Sequence, residues 1–209
     1  MEEGAEAAAE REDVMLIKNG CVTLRAIEER DFDLLFAMMN DPGIEKSLGN
    51  FSLPVSEGQQ REWMRTFRNT EEQVRLMIEL SNGRTIGVIM LYDIDMKNGT
   101  AEVGYKVGVP REDRMPGDMA QALKAMLDYA FYELRLNCVA ARALEGNEAS
   151  GKLLERAHFR KEGILRQRVY QSGGYCDMGT FSLLKSEHEA AGSEGTEVPG
   201  GEGQRGGRL

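Results

Sequence analysis

Apolar and polar positions alternate over Val22-Thr-Leu-Arg-Ala26, the period of a half-buried strand. Asp31 precedes an apolar run through Met39 and is placed to cap a helix, which Pro42 and Gly43 then end. Ser56 and Gln59, with Val55 just ahead, have the spacing of a capping box, and the helix they open carries Trp63, Met64 and Phe67 on one face. A strand is predicted over Val74–Leu80. Asn82-Gly83 turns it tightly into a second strand over 85–92, and Asn98-Gly99 turns that into a third over 101–109, stopped by Pro110. A helix from Asp118 to Glu133 follows, with Ala122, Ala125, Met126, Tyr129 and Ala130 on one side. A strand over 137–143, a helix from Asn147 to Arg156, and two strands over 164–171 and 175–184, joined at Ser172-Gly173-Gly174, complete the pattern. This order predicts an α/β fold with a mostly antiparallel sheet and helices on both faces.

The 209 residues suit one domain of ordinary size. Residues 1–13 are acidic, and residues 188–209 are rich in Gly and Glu with almost nothing to bury. Both read as disordered tails around an ordered domain at 14–187. No apolar run approaches the ~20 residues of a membrane helix. The acidic N-terminus is the opposite of a targeting peptide, so a cytoplasmic location with no membrane partner is expected.

Cys21, Cys138 and Cys176 lie far apart without metal spacing, and Cys138 sits in an apolar run that reads as a buried strand. With only two histidines, neither a His-rich metal site nor a Ser-His-Asp triad is expected. The net charge of −9 argues against a nucleic-acid partner. It suits a cationic amine substrate, although solubility alone accounts for such a charge.

Three segments carry candidate chemistry. In Arg114-Met-Pro-Gly-Asp-Met-Ala120 a glycine precedes a helix start, where unpaired N–H groups and the helix dipole favour a phosphate. Asp118 would oppose that phosphate, with Arg111 and Arg114 compensating; by itself the segment also reads as a capped helix behind a Pro-Gly turn. Asn147 can cap the helix containing Ser150, Leu153 and Leu154. In Thr100-Ala-Glu-Val-Gly-Tyr-Lys-Val-Gly-Val109, Glu102 and Gly104 share one strand face, while Val103, Tyr105 and Val107 share the other.

Together with Asn147-x-x-Ser150…Leu153-Leu-Glu-Arg156…Phe159 and Glu162-Gly-Ile-Leu-Arg166…Gly174-Tyr-Cys-Asp177…Ser182-Leu-Leu184, these segments resemble the GNAT N-acetyltransferases. The likeness spans about 20–187 and is strongest to the ribosomal-protein alanine/serine and spermidine acetyltransferase branch. It implies a GNAT fold whose central strand pair splays, with acetyl-CoA as co-substrate. The resemblance places the pyrophosphate against Arg114, Met115, Gly117, Met119 and Ala120. Asn147 and Ser150 would lie along the pantetheine arm, with Val107 and Val109 beside the thioester. Glu102 would be the general base, with Tyr105 the next candidate. Met115, Met119 and His158 depart from the family pattern of small residues. Leu154 stands where many relatives place the tyrosine that protonates the leaving thiolate. The acceptor would be a primary amine on a small molecule or peptide: a protein N-terminus, a polyamine or an amino sugar. A homo-oligomer is compatible with this reading. The alternative is a non-catalytic acyl-CoA-binding or protein-interaction module on the same fold.

Overall fold

The computed structural model describes residues 15–49 and 53–194, with side chains to 192. The expected acidic tail at 1–13 and the chain beyond 194 lie outside the described residues. The strands are β1 (Ile17–Asn19), β2 (Val22–Arg25), β3 (Val74–Leu80), β4 (Thr85–Asp95), β5 (Thr100–Val107), β6 (Cys138–Leu144), β7 (Arg160–Gln171) and β8 (Gly174–Leu184). The α-helices are α1 (Phe32–Met39), α2 (Pro42–Leu48), α3 (Glu57–Thr66), α4 (Asp118–Asp128), α5 (Glu148–Arg156) and α6 (Lys185–Glu194). A wider-turned segment at Tyr129–Glu133 extends α4 to the end expected from the sequence.

The eight strands form one sheet in the order β1-β2-β3-β4-β5-β6-β8-β7. Every pairing is antiparallel except β5 with β6. That parallel pair holds only at Thr100↔Cys138, Ala101↔Val139 and Glu102↔Ala140. Beyond Glu102, β5 stays with β4 as far as Gly87↔Val107, while β6 stays with β8 as far as Leu144↔Met178. Each central strand follows its outer neighbour, and a cleft opens between them.

Side-chain alternation then sorts the core onto two faces. Leu76 and its partner Ile89 join the large cluster under α4, with Ala122, Leu123, Met126 and Phe131. Met77 and its partner Val88 face the other way, against Leu35 and Met38 of α1 and Trp63 and Met64 of α3. Helices therefore cover both faces.

The structure corrects several local expectations. Asp31 makes no side-chain cap on α1. Its buried carboxylate takes both terminal nitrogens of Arg25, at 2.8 and 2.7 Å, and the Glu28 N–H at 2.8 Å. A turn of 3₁₀ helix at Glu29–Asp31 precedes α1, and Asp31 closes a capping box on that turn with Glu28 while also holding Arg25, so it serves the helix start one turn earlier than read. Pro42 begins a helix rather than only ending one. Asp41 caps α2 by accepting from Gly43 N–H, and Pro42 at the first helical position loses no hydrogen bond. The Ser56–Gln59 capping box forms as read.

The boundary drawn at 187 falls inside α6. His188 lies 2.6 Å from Asp128 Oδ1 and packs on Phe131 at 5.2 Å between ring centroids, while Glu187 binds Arg160 and the Leu184 N–H. Ending the chain at 187 should therefore lower the melting temperature by about 3–6 °C, as expected for losing one partly buried polar pair and its ring contact in a domain of this size. An unchanged melting temperature in a thermal scan would show that α6 adds nothing.

Candidate active site

The cleft between β5 and β6 opens to both faces, and alternation along β5 assigns each side chain to one of them. Tyr105 points toward α4 and α5, where its hydroxyl meets Ser150 Oγ at 3.0 Å. Glu102 points the other way, as Arg142 of β6 does. Two cavities follow. One, of about 440 Å³, lies beside the start of α4 and is lined by Tyr105, Val107, Arg114, Gly117, Met119 and Ala120, with Asn147 and Ser150 of α5. The other, of about 480 Å³, is lined by Arg75, Tyr92, Glu102, Gly104, Lys106 and Arg142. Tyr105, Lys106 and Ser150 line both, so the cavities meet at the splay.

On the α4 side, Gly117 is the helix N-cap, with φ 76°, a left-handed backbone that favours glycine. Asp118 is 1% exposed. Its carboxylate takes Arg114 Nε at 2.9 Å, Arg114 Nη2 at 2.7 Å and the Met119 N–H at 2.6 Å. Burial acts to raise the Asp118 pKa, but the Arg114 and Met119 hydrogen bonds outweigh it and hold the group below its ordinary value. Arg114, read from the sequence as free to meet a pyrophosphate, is thus already committed to Asp118, together with one helix-start amide. Asn147 is committed too: Oδ1 accepts from Ser150 N–H, and Nδ2 donates to the Ser47 carbonyl of α2. Met115 packs against the large core cluster, as do Val107 and Val109. Met115 and Val109 are the two predicted site residues that line neither cavity.

Val107 pairs opposite Gly87, and the next residue, Gly108, donates its N–H to the Ile86 carbonyl at 2.9 Å. In an antiparallel ladder such bonds alternate, so the Val107 N–H is directed to the opposite edge of β5, toward the departed β6. Burial raises the Tyr105 hydroxyl above its ordinary pKa, with the Ser150 bond and the Arg114 charge opposing, and leaves it protonated at neutral pH. Tyr105 is therefore unsuited to act as a base there.

On the other side, Glu102 is 8% exposed and surrounded by donors. Arg142 Nε approaches Oε1 at 2.8 Å and Oε2 at 2.9 Å; Arg142 Nη2 and the Tyr92 hydroxyl bind as well. Burial, and then the bond to Glu102, raise the Tyr92 pKa, so Tyr92 is the donor. The bond to Glu102 likewise raises the Arg142 pKa. Lys106 binds Glu45 of α2. Sequence reading found Glu102 but none of these neighbours. Arg142 reaches it from a strand distant in sequence, and Tyr92 across a hairpin whose register shifts between Tyr92 and Asp95. Among the described residues, no group of three or more His, Cys, Asp or Glu side chains is placed to hold a metal, and no helix is long and apolar enough to cross a membrane.

Residues 22–160 match a family model described as an acetyltransferase (GNAT) domain. The chain is 33% identical over 178 residues to YdaF, a putative ribosomal N-acetyltransferase of Bacillus subtilis (strain 168), covering 82% of this chain and 95% of that one. It is 32% identical over 171 residues to the uncharacterized N-acetyltransferase p20 of Bacillus licheniformis, covering 80% of this chain and 94% of that one. In fold it resembles the spermidine N-acetyltransferase of Vibrio cholerae, solved in complex with CoA and spermine, with a TM-score of 0.74 and 23% identity over 82% of this chain and 99% of that one.

Two substitutions probe the local geometry. Asp118→Asn should cost about 2–3 kcal/mol by urea denaturation at neutral pH, because it leaves Arg114 unpaired. As the carboxyl has a lowered folded pKa, this difference should be full above about pH 4 and shrink as pH falls through the folded value. A cost unchanged under acid would show that the charge is not its source. At the end of α5, His158 N–H binds the Glu155 carbonyl and Phe159 N–H the Leu154 carbonyl, a Schellman motif. His158 occupies its left-handed position with φ 65°. His158→Gly should stabilise the protein by about 0.5–1 kcal/mol, the strain released less the chain entropy added. Any destabilisation in the same denaturation would show that the imidazole contributes more than its strain.

Proposed function

The chain belongs to the GNAT N-acetyltransferase family, and on that premise we propose that it moves the acetyl group of acetyl-CoA to a primary amine, both substrates meeting where β5 and β6 part. The observation that carries this reading is the pair of cavities joined at Tyr105, one beside the helix start at Gly117 and the other over Glu102. Acetyl-CoA supplies an acyl carbon activated by a thiol leaving group. The left-handed Gly117 lets backbone approach its phosphates, while Met119, Ala120, Asn147 and Ser150 line the arm's path. The Val107 N–H, aimed into the splay, polarises the thioester carbonyl.

The acceptor enters as an ammonium, loses one proton, and its nitrogen then attacks that carbon: a C–N bond forms, a C–S bond breaks, and the second proton the nitrogen sheds is matched by the one that joins the thiolate. Glu102 takes the first, directly or through one water. To do so it must release a donor, and the neutral Tyr92 hydroxyl is held less strongly than the charged, forked Arg142. Tyr105, kept protonated by burial and already at the cavity junction, gives the thiolate its proton. It thereby fills the role that Leu154 cannot. A protein N-terminus, a polyamine and an amino sugar all offer the required nitrogen.

Free-thiol release from acetyl-CoA tests the reading. Glu102→Gln should lower kcat/KM about 10²–10⁴-fold near neutral pH while leaving CoA affinity unchanged, with partial recovery as pH nears the amine's own pKa. A wild-type rate in that variant would move the base elsewhere. Gly117→Asp should abolish CoA binding by calorimetry, since it adds a side chain and a charge at a left-handed position. No thiol release above the uncatalysed rate with any amine would overturn the enzyme reading in favour of a non-catalytic acyl-CoA-binding or protein-interaction module.

A further inference from the structure

The cavity over Glu102 is lined by three cations, Arg75, Lys106 and Arg142, against one carboxylate, Glu102 itself. Two of the cations are matched: Arg142 by Glu102 and Lys106 by Glu45. Arg75 of β3 has no carboxylate partner among the described residues. Its guanidinium carbon lies 5.9 Å from the centroid of the Trp63 ring and 5.5 Å from that of Phe67, and those two rings stack on each other at 5.0 Å. This aromatic shelf fixes the head group of Arg75 without neutralising it.

The floor between Arg75 and the splay is low. Arg75 pairs with Met90, and Met90 with Gly104. A Cβ at Gly104 would come within 3.1 Å of the Tyr92 ring, so this position admits no side chain without displacing Tyr92. Arg75 and Glu102 stand two strands apart and about two residues out of step, which puts their Cα atoms roughly 12 Å apart. Both side chains line the one cavity of about 480 Å³, which leaves room for a small group between them.

Building on the acetyl-transfer reading, we propose that the acceptor carries a carboxylate as well as its amine, and that Arg75 binds the carboxylate while Glu102 faces the nitrogen. Such a molecule is an α-amino acid or a peptide whose first residue is acidic. A polyamine, with several positive charges and no negative one, is disfavoured by the same lining. Burial supports the assignment, since it pulls the Arg75 pKa down and so marks a cation with its hydration reduced and no protein anion in its place. A forked guanidinium suits a carboxylate through two parallel hydrogen bonds.

Thiol release should be followed with free glutamate, a glutamyl peptide amide, the matching glutaminyl peptide amide, and spermidine. The wild-type protein should prefer at least one carboxylate-bearing acceptor over both the glutaminyl peptide and spermidine by about tenfold or more in kcat/KM. Preference for the glutamyl over the glutaminyl peptide assigns the side-chain carboxylate, whereas turnover of free glutamate with the two peptides equal assigns the α-carboxylate. Arg75→Gln should abolish that preference by raising KM for the carboxylate-bearing acceptor far more than for the glutaminyl peptide, and Arg75→Lys should restore part of it. Neither free glutamate nor the glutamyl peptide outpacing the glutaminyl peptide, faster spermidine turnover, or an unchanged preference in Arg75→Gln would overturn the proposal.

Trp63 is the only tryptophan in the chain and lies beside Arg75, so its fluorescence reports ligand binding without turnover. N-acetylglutamate should shift it saturably in the wild type, with affinity lost in Arg75→Gln, whereas the neutral diamide should not. That result without turnover would retain the carboxylate site and reject acetyl transfer. No shift and no carboxylate preference would reject the site itself.

Discussion

Everything functional in this molecule depends on β5 and β6 pairing for three residues and then parting. A parallel pair continued to Val107 would spend the β5 edge groups on the ladder and close the passage between the two faces. The separation arises because each strand is held by an antiparallel neighbour, β5 by β4 and β6 by β8, over a longer length than the two hold each other. It frees backbone polarity at Val107 and joins two cavities that the sheet would otherwise divide. Side-chain alternation then gives successive β5 residues different tasks, Glu102 facing one compartment and Tyr105 the other.

The start of α4 shows how a departure from a family pattern can be absorbed. An acidic residue at the first helical position, if it faced the cavity, would oppose an anion-binding site. Asp118 is instead folded inward, neutralised by Arg114 and bonded to the Met119 amide. Its charge no longer faces the cavity as an isolated repulsion. The same contacts withdraw a cation and an amide from any phosphate that arrives, so on the proposed reading phosphate recognition here would rest more on Gly117 and on the remaining cationic lining, including Arg111 and Lys152.

What the sequence disclosed and what it concealed divide along the reach of each interaction. The Ser56–Gln59 box, the two Asn-Gly hairpins and the opposed facing of Glu102 and Tyr105 depend on residues within a few positions, and these were legible. Asp31 looked like the cap of α1 because nothing local reveals the turn before it or Arg25 folding onto it. Asp41-Pro42 did carry a local signal for a helix start, but the proline was read only as a stop. The final helix has few apolar residues, so its pattern resembles a tail; His188 is held by Asp128 and Phe131, which precede it by some sixty positions. The partners of Glu102 come from β4 and β6, through a shifted register and a short parallel pairing, and neither can be counted along the chain.

Charge shows the same division between global and local. The net charge of −9 describes the molecule seen from a distance, where it sets solubility and slows the approach of anions. At contact, selectivity depends on the few groups lining the cavity, and these are mostly cationic. Among the described residues the buried carboxylates Asp31, Glu45, Glu102 and Asp118 are all matched by cations. An overall negative charge therefore does not select a cationic acceptor. Each matched carboxylate removes one favourable contact for a polyamine, while the unmatched Arg75 adds one for an anion. A shared fold with a polyamine acetyltransferase is consistent with this difference, because a likeness at 23% identity fixes the arrangement of the chain, whereas the side chains over Glu102 are this chain's own.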